Sequence, residues 1–396
     1  MFGAISCIGE RQVCIVYLTM ETIINDQFSL DSNIIYLNHA GVAPWPNRTA
    51  AAVRAFADEN AVRGAFDYPR WLRTETELRM RLRAFLNASS TDDIALVKNT
   101  SEALSLVAYG LNWEKGENII STNQEFPSNR IVWESLAKKG VEFREADLRG
   151  ADSPEDAIFS LADLKTRLIT VSSVQFGTGL RLDLLRLGEF CRRRGILFCV
   201  DAIQSLGAVA FDVQKIQADF VMADGHKWLL GPEGLAVFYS SPEARNRLGL
   251  FEYGWHMVEN AGNFDVREWS IAESARRFEC GSPNMLGIHA LNASISLLLE
   301  IGMERIERLL LENSSYLFGE IRSKGINLIT DDSPGRYAGI VTFSIPGVKG
   351  TQLYDHLMAN DVFCAYRSGG VRFSPHFYTP REHIRKAIEI VAGYKP

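Results

Sequence analysis

Apolar and polar positions change period several times along this chain. Residues 49–62 and 71–86 place apolar side chains at helical spacing and predict two helices. From residue 94 to 230 short apolar runs of strand length, at 94–97, 118–121, 141–145, 168–173, 196–200 and 220–223, are separated by polar turns and helical stretches. Helices are predicted over 103–109 and 184–194. Such alternation predicts a mostly parallel sheet with helices on both faces. A short strand at 33–37 precedes a turn-rich loop, NHAGVAPWPN, containing Gly41, Pro44 and Pro46. Residues 288–323 read as one long helical stretch, with an apolar stripe of Met303, Ile306, Leu309, Leu310 and Leu317. Runs at 326–329, 339–345, 362–366 and 371–374 predict further strands, and 380–391 a last helix. The fold expected is α/β: a large domain over 37–296, and a smaller α+β domain from 1–36 and 297–396.

In open α/β sheets ligands gather outside the carboxyl ends of the strands. Thr100, Phe126, Gln175, Asp201 and Lys227 all fall just after predicted strand ends. Asp201 and Lys227 follow neighbouring runs and carry the most informative chemistry. A lysine can hold an aldehyde cofactor as a Schiff base, and a carboxylate can keep a pyridine nitrogen protonated. Together they suit pyridoxal phosphate (PLP). Lys227 lies between an apolar run and Trp228-Leu229-Leu230, surroundings that desolvate the amine and lower its pKa. Asn99-Thr100-Ser101-Glu102 opens a helix after a strand, which suits phosphate; the plain alternative is a helix cap made by Thr100 or Ser101.

Composition narrows the classes. With 46% hydrophobic and 23% charged residues the 396-residue chain is an ordinary globular protein, and its net charge of −6 argues against nucleic acid as a partner. The six cysteines contain no C-x-x-C pair; their sparseness fits reduced thiols in a cytoplasmic enzyme, with Cys199 in the core. No apolar run reaches the roughly 20 residues of a membrane span. The N-terminal stretch, MFGAISCIGERQVCIVYLTM, is interrupted by Glu10 and Arg11 and is read as no signal peptide, with Met20 as an alternative start. P-loop, dinucleotide-binding and G-x-S-x-G motifs are all absent. His226, His256 and His376 are a weak basis for a metal site, and none is assigned.

DGHKWLLGPEG, with VDAIQSLG upstream, resembles class V aminotransferases, a branch of the fold-type I PLP enzymes that includes cysteine desulfurases, C–S lyases and isopenicillin N epimerase. The resemblance extends from about Tyr36 to Tyr394. It implies Lys227 as the Schiff-base lysine, Asp201 as the pyridinium partner and Gln204 on the phenolic oxygen. It implies His226, Thr100 and Ser101 at the phosphate, with Asp224 and Gln175 beside the cofactor and Phe126 stacked on its ring. RFECGSPN is similar to the family's R-F-E-x-G-T-P-N, which implies a homodimer in which Gly281 and Ser282 reach the neighbouring subunit's phosphate. Arg372, in VRFSPHFYTP, matches the clamp for a substrate α-carboxylate. His39, Trp255 and His256 complete the implied substrate pocket.

The chain departs from the desulfurase pattern at several points. Asp224 stands where desulfurases have a phosphate-binding Ser, and Phe126 replaces a His. The asparagine near the phenolic oxygen is not evident in SSVQFGTG. CAYRSGGVRFS leaves little room for the loop that carries a catalytic cysteine, and Cys364 lies within a predicted strand. The reaction expected is attack of an amino acid on the Lys227 imine to give an external aldimine, followed by loss of the Cα proton. The outcome expected is desulfurase-like C–S lyase chemistry, with transamination or epimerisation as the alternative and a non-catalytic PLP-binding protein after those.

Overall fold

The structure, a computed structural model, describes residues 4–5, 16–17, 20–150, 153–265 and 267–395. Most of the N-terminal stretch read above, with Cys7 and Cys14, lies outside the described residues.

Seven strands form the central sheet, in the order Ile94–Val97, Ala236–Ser240, Phe220–Asp224, Leu197–Asp201, Thr166–Ser172, Asn118–Thr122, Glu142–Ala146. Neighbours pair in parallel except at Ala236–Ser240, which runs antiparallel to both strands beside it. Alternate residues of each strand enter two different cores. Ile169, Val171, Phe198, Val200, Val221 and Ala223 face one; Leu168, Leu197, Cys199, Phe220 and Met222 face the other. Burial on both faces explains why these runs read as continuously apolar. Strand Ala236–Ser240 was not anticipated. No helix separates it from Phe220–Asp224, nor that strand from Leu197–Asp201, so the strand–helix rhythm on which the sequence reading relied ends after Leu197–Asp201.

Local signals then aim the strand ends. Helix Leu184–Arg194 starts on Asp183, whose side chain accepts from the N–H groups of Leu185 and Arg186. It carries Arg192, Arg193 and Arg194 in its last turn and ends on Gly195 at φ 68°. Such a cap is worth about 1 kcal/mol, and cations suit the carboxyl end of the dipole. The chain turns there into strand Leu197–Asp201, which delivers Asp201.

The predicted helix over 288–323 is two helices, Met285–Ile301 and Met303–Ser323, bent by 83° at Gly302, where φ is 88°. Only glycine adopts that conformation readily. No single described helix is long and apolar enough to cross a membrane. Helix Met303–Ser323 joins two cores: Ile306 and Leu310 pack in the one that holds Ile169, and Leu317, Phe318 and Ile321 in a third. This third core lies on a four-stranded sheet ordered Asn327–Leu328, Val341–Ser344, Gly370–Phe373, Ala365–Arg367. The run predicted at 362–366 is split. Val362–Phe363 pairs in parallel with Ile35–Tyr36, whereas Ala365–Arg367 pairs antiparallel with Gly370–Phe373. Cys364 sits at that exchange of partners.

Candidate active site

Lys227 follows strand Phe220–Asp224 in a tight turn. Gly231 N–H donates to Gly225 O at 2.7 Å and Leu230 N–H to Lys227 O at 3.0 Å. Leu230 takes a left-handed φ of 59°, a strain of about 1–2 kcal/mol for a residue with a Cβ, and its side chain is fully buried. Close packing holds the turn in place: a Cβ on Gly207, in the loop after Asp201, would lie 2.3 Å from Trp228 O. Burial pushes the Lys227 amine down to about 8, against the opposing pull of Asp201 and with a smaller push from Arg372. Its Nζ lies 5.7 Å from the centroid of the Phe126 ring, which is 41% exposed and meets Phe176 edge-on.

Asp201 is buried, and its Oδ1 accepts from Ile203 N–H at 3.0 Å. Burial pushes its carboxyl up to about 7; Glu125 adds to the rise and Lys227 opposes it. Glu125 was missed in the sequence. This buried carboxylate accepts from Thr122 Oγ1, Ser172 N, Ser172 Oγ, Asn129 Nδ2 and Gln175 Nε2 at 2.5–3.1 Å. It ties the loop before Phe126 to the strand end before Gln175. An acidic residue three positions after a strand end was the available signal.

At the other side of Lys227, helix Thr100–Gly110 begins. Its cap is Asn99, whose Oδ1 accepts from Glu102 N–H at 2.8 Å, so neither Thr100 nor Ser101 has the role the plain alternative gave it. Thr100 N–H donates to Asp224 Oδ2 at 3.2 Å, and His226 Nδ1 lies 3.8 Å from Asp224 Oδ1. Ser101 Oγ donates to Ser128 Oγ at 2.8 Å.

The four-stranded sheet closes the group with Arg372, which is 2% exposed. It donates to Phe176 O at 2.8 Å and Asn38 Oδ1 at 3.3 Å. No carboxylate pairs with it among the described residues. Burial and Arg367 push it down to about 9, which leaves it charged at neutral pH. Ser368 and Gly369, with φ of 49° and 78°, form a two-residue hairpin turn between Arg367 and the Arg372 strand. Cys364 is 4% exposed, and burial pushes its thiol up to about 12.

The remaining predicted residues have the following surroundings. His39 is fully buried with both ring nitrogens engaged, by Ser374 O at 2.8 Å and Tyr378 Oη at 2.7 Å, and burial lowers it to about 4. It joins distant segments of the chain through both of these bonds. Gln204 accepts from Trp228 Nε1 at 2.9 Å and donates to Ala40 O at 3.1 Å, so protein groups take part of its amide. Gly281 and Ser282 are exposed and line a cavity of about 390 Å³ with Lys98 and Glu102. Trp255 lines a second cavity with Tyr253, Phe264 and Trp269. His256 lies beside Glu75 and Glu279, a grouping with metal-ligand spacing, but Arg79 already bonds both carboxylates there at 2.7–2.8 Å.

Four side chains around Lys227 keep a buried polar atom without a partner: Thr100 Oγ1, Gln175 Oε1, His226 Nδ1 and Arg372 Nε. A phosphate at the helix N-terminus and a carboxylate at Arg372 would supply acceptors for Thr100, His226 and Arg372, the Gln175 oxygen is left to accept from a donor, and a pyridinium suits Asp201 and the face of Phe126. The residues present therefore fit PLP. Comparison with known proteins agrees. The model of the aminotransferase class-V family matches residues 35–383. A probable cysteine desulfurase of Methanothermobacter thermautotrophicus is 32% identical over 391 residues, covering 91% of this chain and 95% of that one. Another, of Pyrococcus abyssi, is 32% identical over 339 residues, covering 80% and 82%. Among solved structures, the cystine C–S lyase C-DES in complex with its product cysteine persulfide shares the fold, with a TM-score of 0.86 at 22% identity over 92% of this chain and 99% of that one. This chain belongs to the class-V aminotransferase family and is a PLP-dependent enzyme.

Proposed function

We propose that the protein is a C–S lyase that acts on cysteine or cystine, with Lys227 as the residue that holds PLP. One observation carries the lyase reading over a persulfide relay. The Ser368–Gly369 turn leaves no loop on which a cysteine can swing to the substrate, and Cys364 is buried with its thiol pushed up to about 12. Only the thiolate is nucleophilic, so Cys364 is a poor sulfur acceptor.

When bound, PLP supplies an electron sink for negative charge developing at the substrate Cα. Asp201 provides the anion against the pyridine nitrogen. Arg372 receives the α-carboxylate, gaining the counter-charge that it lacks in the protein. Lys227, held near 8 by burial, has a substantial neutral fraction at physiological pH and is the base that takes the Cα proton. Phe126 offers an aromatic face and no titratable group, so proton transfer from that side is absent. For cysteine the balance is cysteine and water to pyruvate, ammonia and hydrogen sulfide. For cystine the sulfur leaves as cysteine persulfide.

A homodimer is part of the same reading. Gly281 and Ser282 are exposed, and Tyr253, Phe264 and Trp269 leave an aromatic surface nearby, an arrangement that suits a second copy completing the site. A cytoplasmic location fits the four free described cysteines, Cys191, Cys199, Cys280 and Cys364. The test is incubation of PLP-loaded protein with cysteine, cystine and a panel of other amino acids. Pyruvate with sulfide or persulfide is expected. Accumulation of pyridoxamine phosphate without pyruvate would make it an aminotransferase instead.

A further inference from the structure

Two carboxylates end neighbouring strands at this site, and the assigned chemistry uses only Asp201. The other, Asp224, takes a hydrogen bond that an anionic ligand would want. Its Oδ2 accepts from Thr100 N–H at 3.2 Å, at the first turn of an 11-residue helix. Glu102 N–H is taken by Asn99 at 2.8 Å, so two donors of that turn already have protein acceptors. Yet Thr100, 4% exposed, keeps its Oγ1 without a partner, and so does the buried Nδ1 of His226, 3.8 Å from the same carboxylate. These donors await an acceptor that Asp224 does not supply. No Lys or Arg comes within ion-pair distance of Asp224 among the described residues; only His226 does.

We propose that Asp224 is a built-in competitor for the cofactor's phosphate, and that it determines how strongly the enzyme prefers phosphorylated over unphosphorylated pyridoxal. A phosphate at this helix end either takes Thr100 N–H away from Asp224 or lies against it as a like charge. Both weaken phosphate binding. An Asn at this position keeps the acceptor and removes the charge, and a Ser removes the charge and adds a donor. The inference rests on the reading that this end of the site receives the phosphate.

The test is titration of the full-length apoprotein with PLP and, separately, with pyridoxal, following the imine absorbance for wild type, Asp224→Asn and Asp224→Ser. In both variants the ratio of the pyridoxal Kd to the PLP Kd is expected to rise on the order of tenfold or more, the size of losing a like charge a few ångströms away. Any effect of Asp224 on the Lys227 amine is common to both aldehydes and cancels in the ratio, and pyridoxal binding also reports that each variant has folded. An unchanged ratio, or PLP bound more weakly in both variants, would overturn the proposal. Lys227→Ala separates this from the cofactor assignment. If its imine band persists, the lysine is misassigned, while the ratio still judges Asp224.

Discussion

The wall of the site supplied by the seven-stranded sheet sets charges against one another: Lys227 feels Asp201 and Asp224, and Asp201 feels Glu125 and Lys227. The wall supplied by the four-stranded sheet sets no opposite charge against its arginines at the site. Arg372 is buried beside Arg367, with only a carbonyl and an amide oxygen as acceptors. Burying an unpaired ion costs several kcal/mol, a cost that the proposed substrate carboxylate would offset. In the proposed function one wall therefore holds the reaction chemistry, and the other selects a substrate that carries a carboxylate.

The largest test of that division is Lys227→Ala. Imine absorbance and pyruvate formation should both disappear, a loss of at least about a thousandfold in rate. Next comes Arg372→Lys, which keeps a charge but loses the planar fork. Steady-state kinetics should show kcat/KM for cysteine down by about a hundredfold, the scale of breaking a buried charge pair. Cysteamine, which lacks the carboxylate, should react equally poorly with both proteins. Arg372→Met should also leave the apoprotein as stable as wild type or more so in a urea melt, because it removes an unpaired buried charge; clear destabilisation would break the comparison.

A smaller effect concerns pH. The folded amine of Lys227 is lowered from 10.5 to about 8, so its neutral form fills in as pH rises through 8. The rate of PLP capture by the apoprotein, followed by absorbance, should rise about tenfold between pH 7 and 9 and then level off. An unperturbed lysine would still be climbing at pH 9. Because Arg372 helps depress this amine, Arg372→Met should move the plateau to higher pH. The smallest effect is expected for Cys364→Ser, with turnover of cystine within about twofold of wild type, as befits a thiol that takes no part in the reaction.

The first wall was legible in the sequence because each apolar run with its polar end declares itself locally. Asp201, Lys227, Thr100, Phe126 and Gln175 could be placed at strand ends without knowing the sheet order. The second wall depends on partners far apart in the chain. Cys364 lies where the chain leaves Ile35–Tyr36 and joins Gly370–Phe373, an exchange that no local period encodes. His39, given by the resemblance to the substrate pocket, bonds to residues more than 330 positions away, partners that its own loop does not announce. The helix cap was ambiguous for another reason. Asn99, Thr100 and Ser101 are all competent caps in succession, and only backbone geometry selects Asn99.

The most direct test of the lyase reading is peptide mass spectrometry of the PLP-loaded enzyme during turnover of cystine, with pyruvate measured in the same sample. The account predicts stoichiometric pyruvate, persulfide found in solution, and the Cys364 peptide at its unmodified mass. A sulfur atom added to Cys364 in step with turnover, or cystine consumed without pyruvate, would contradict it.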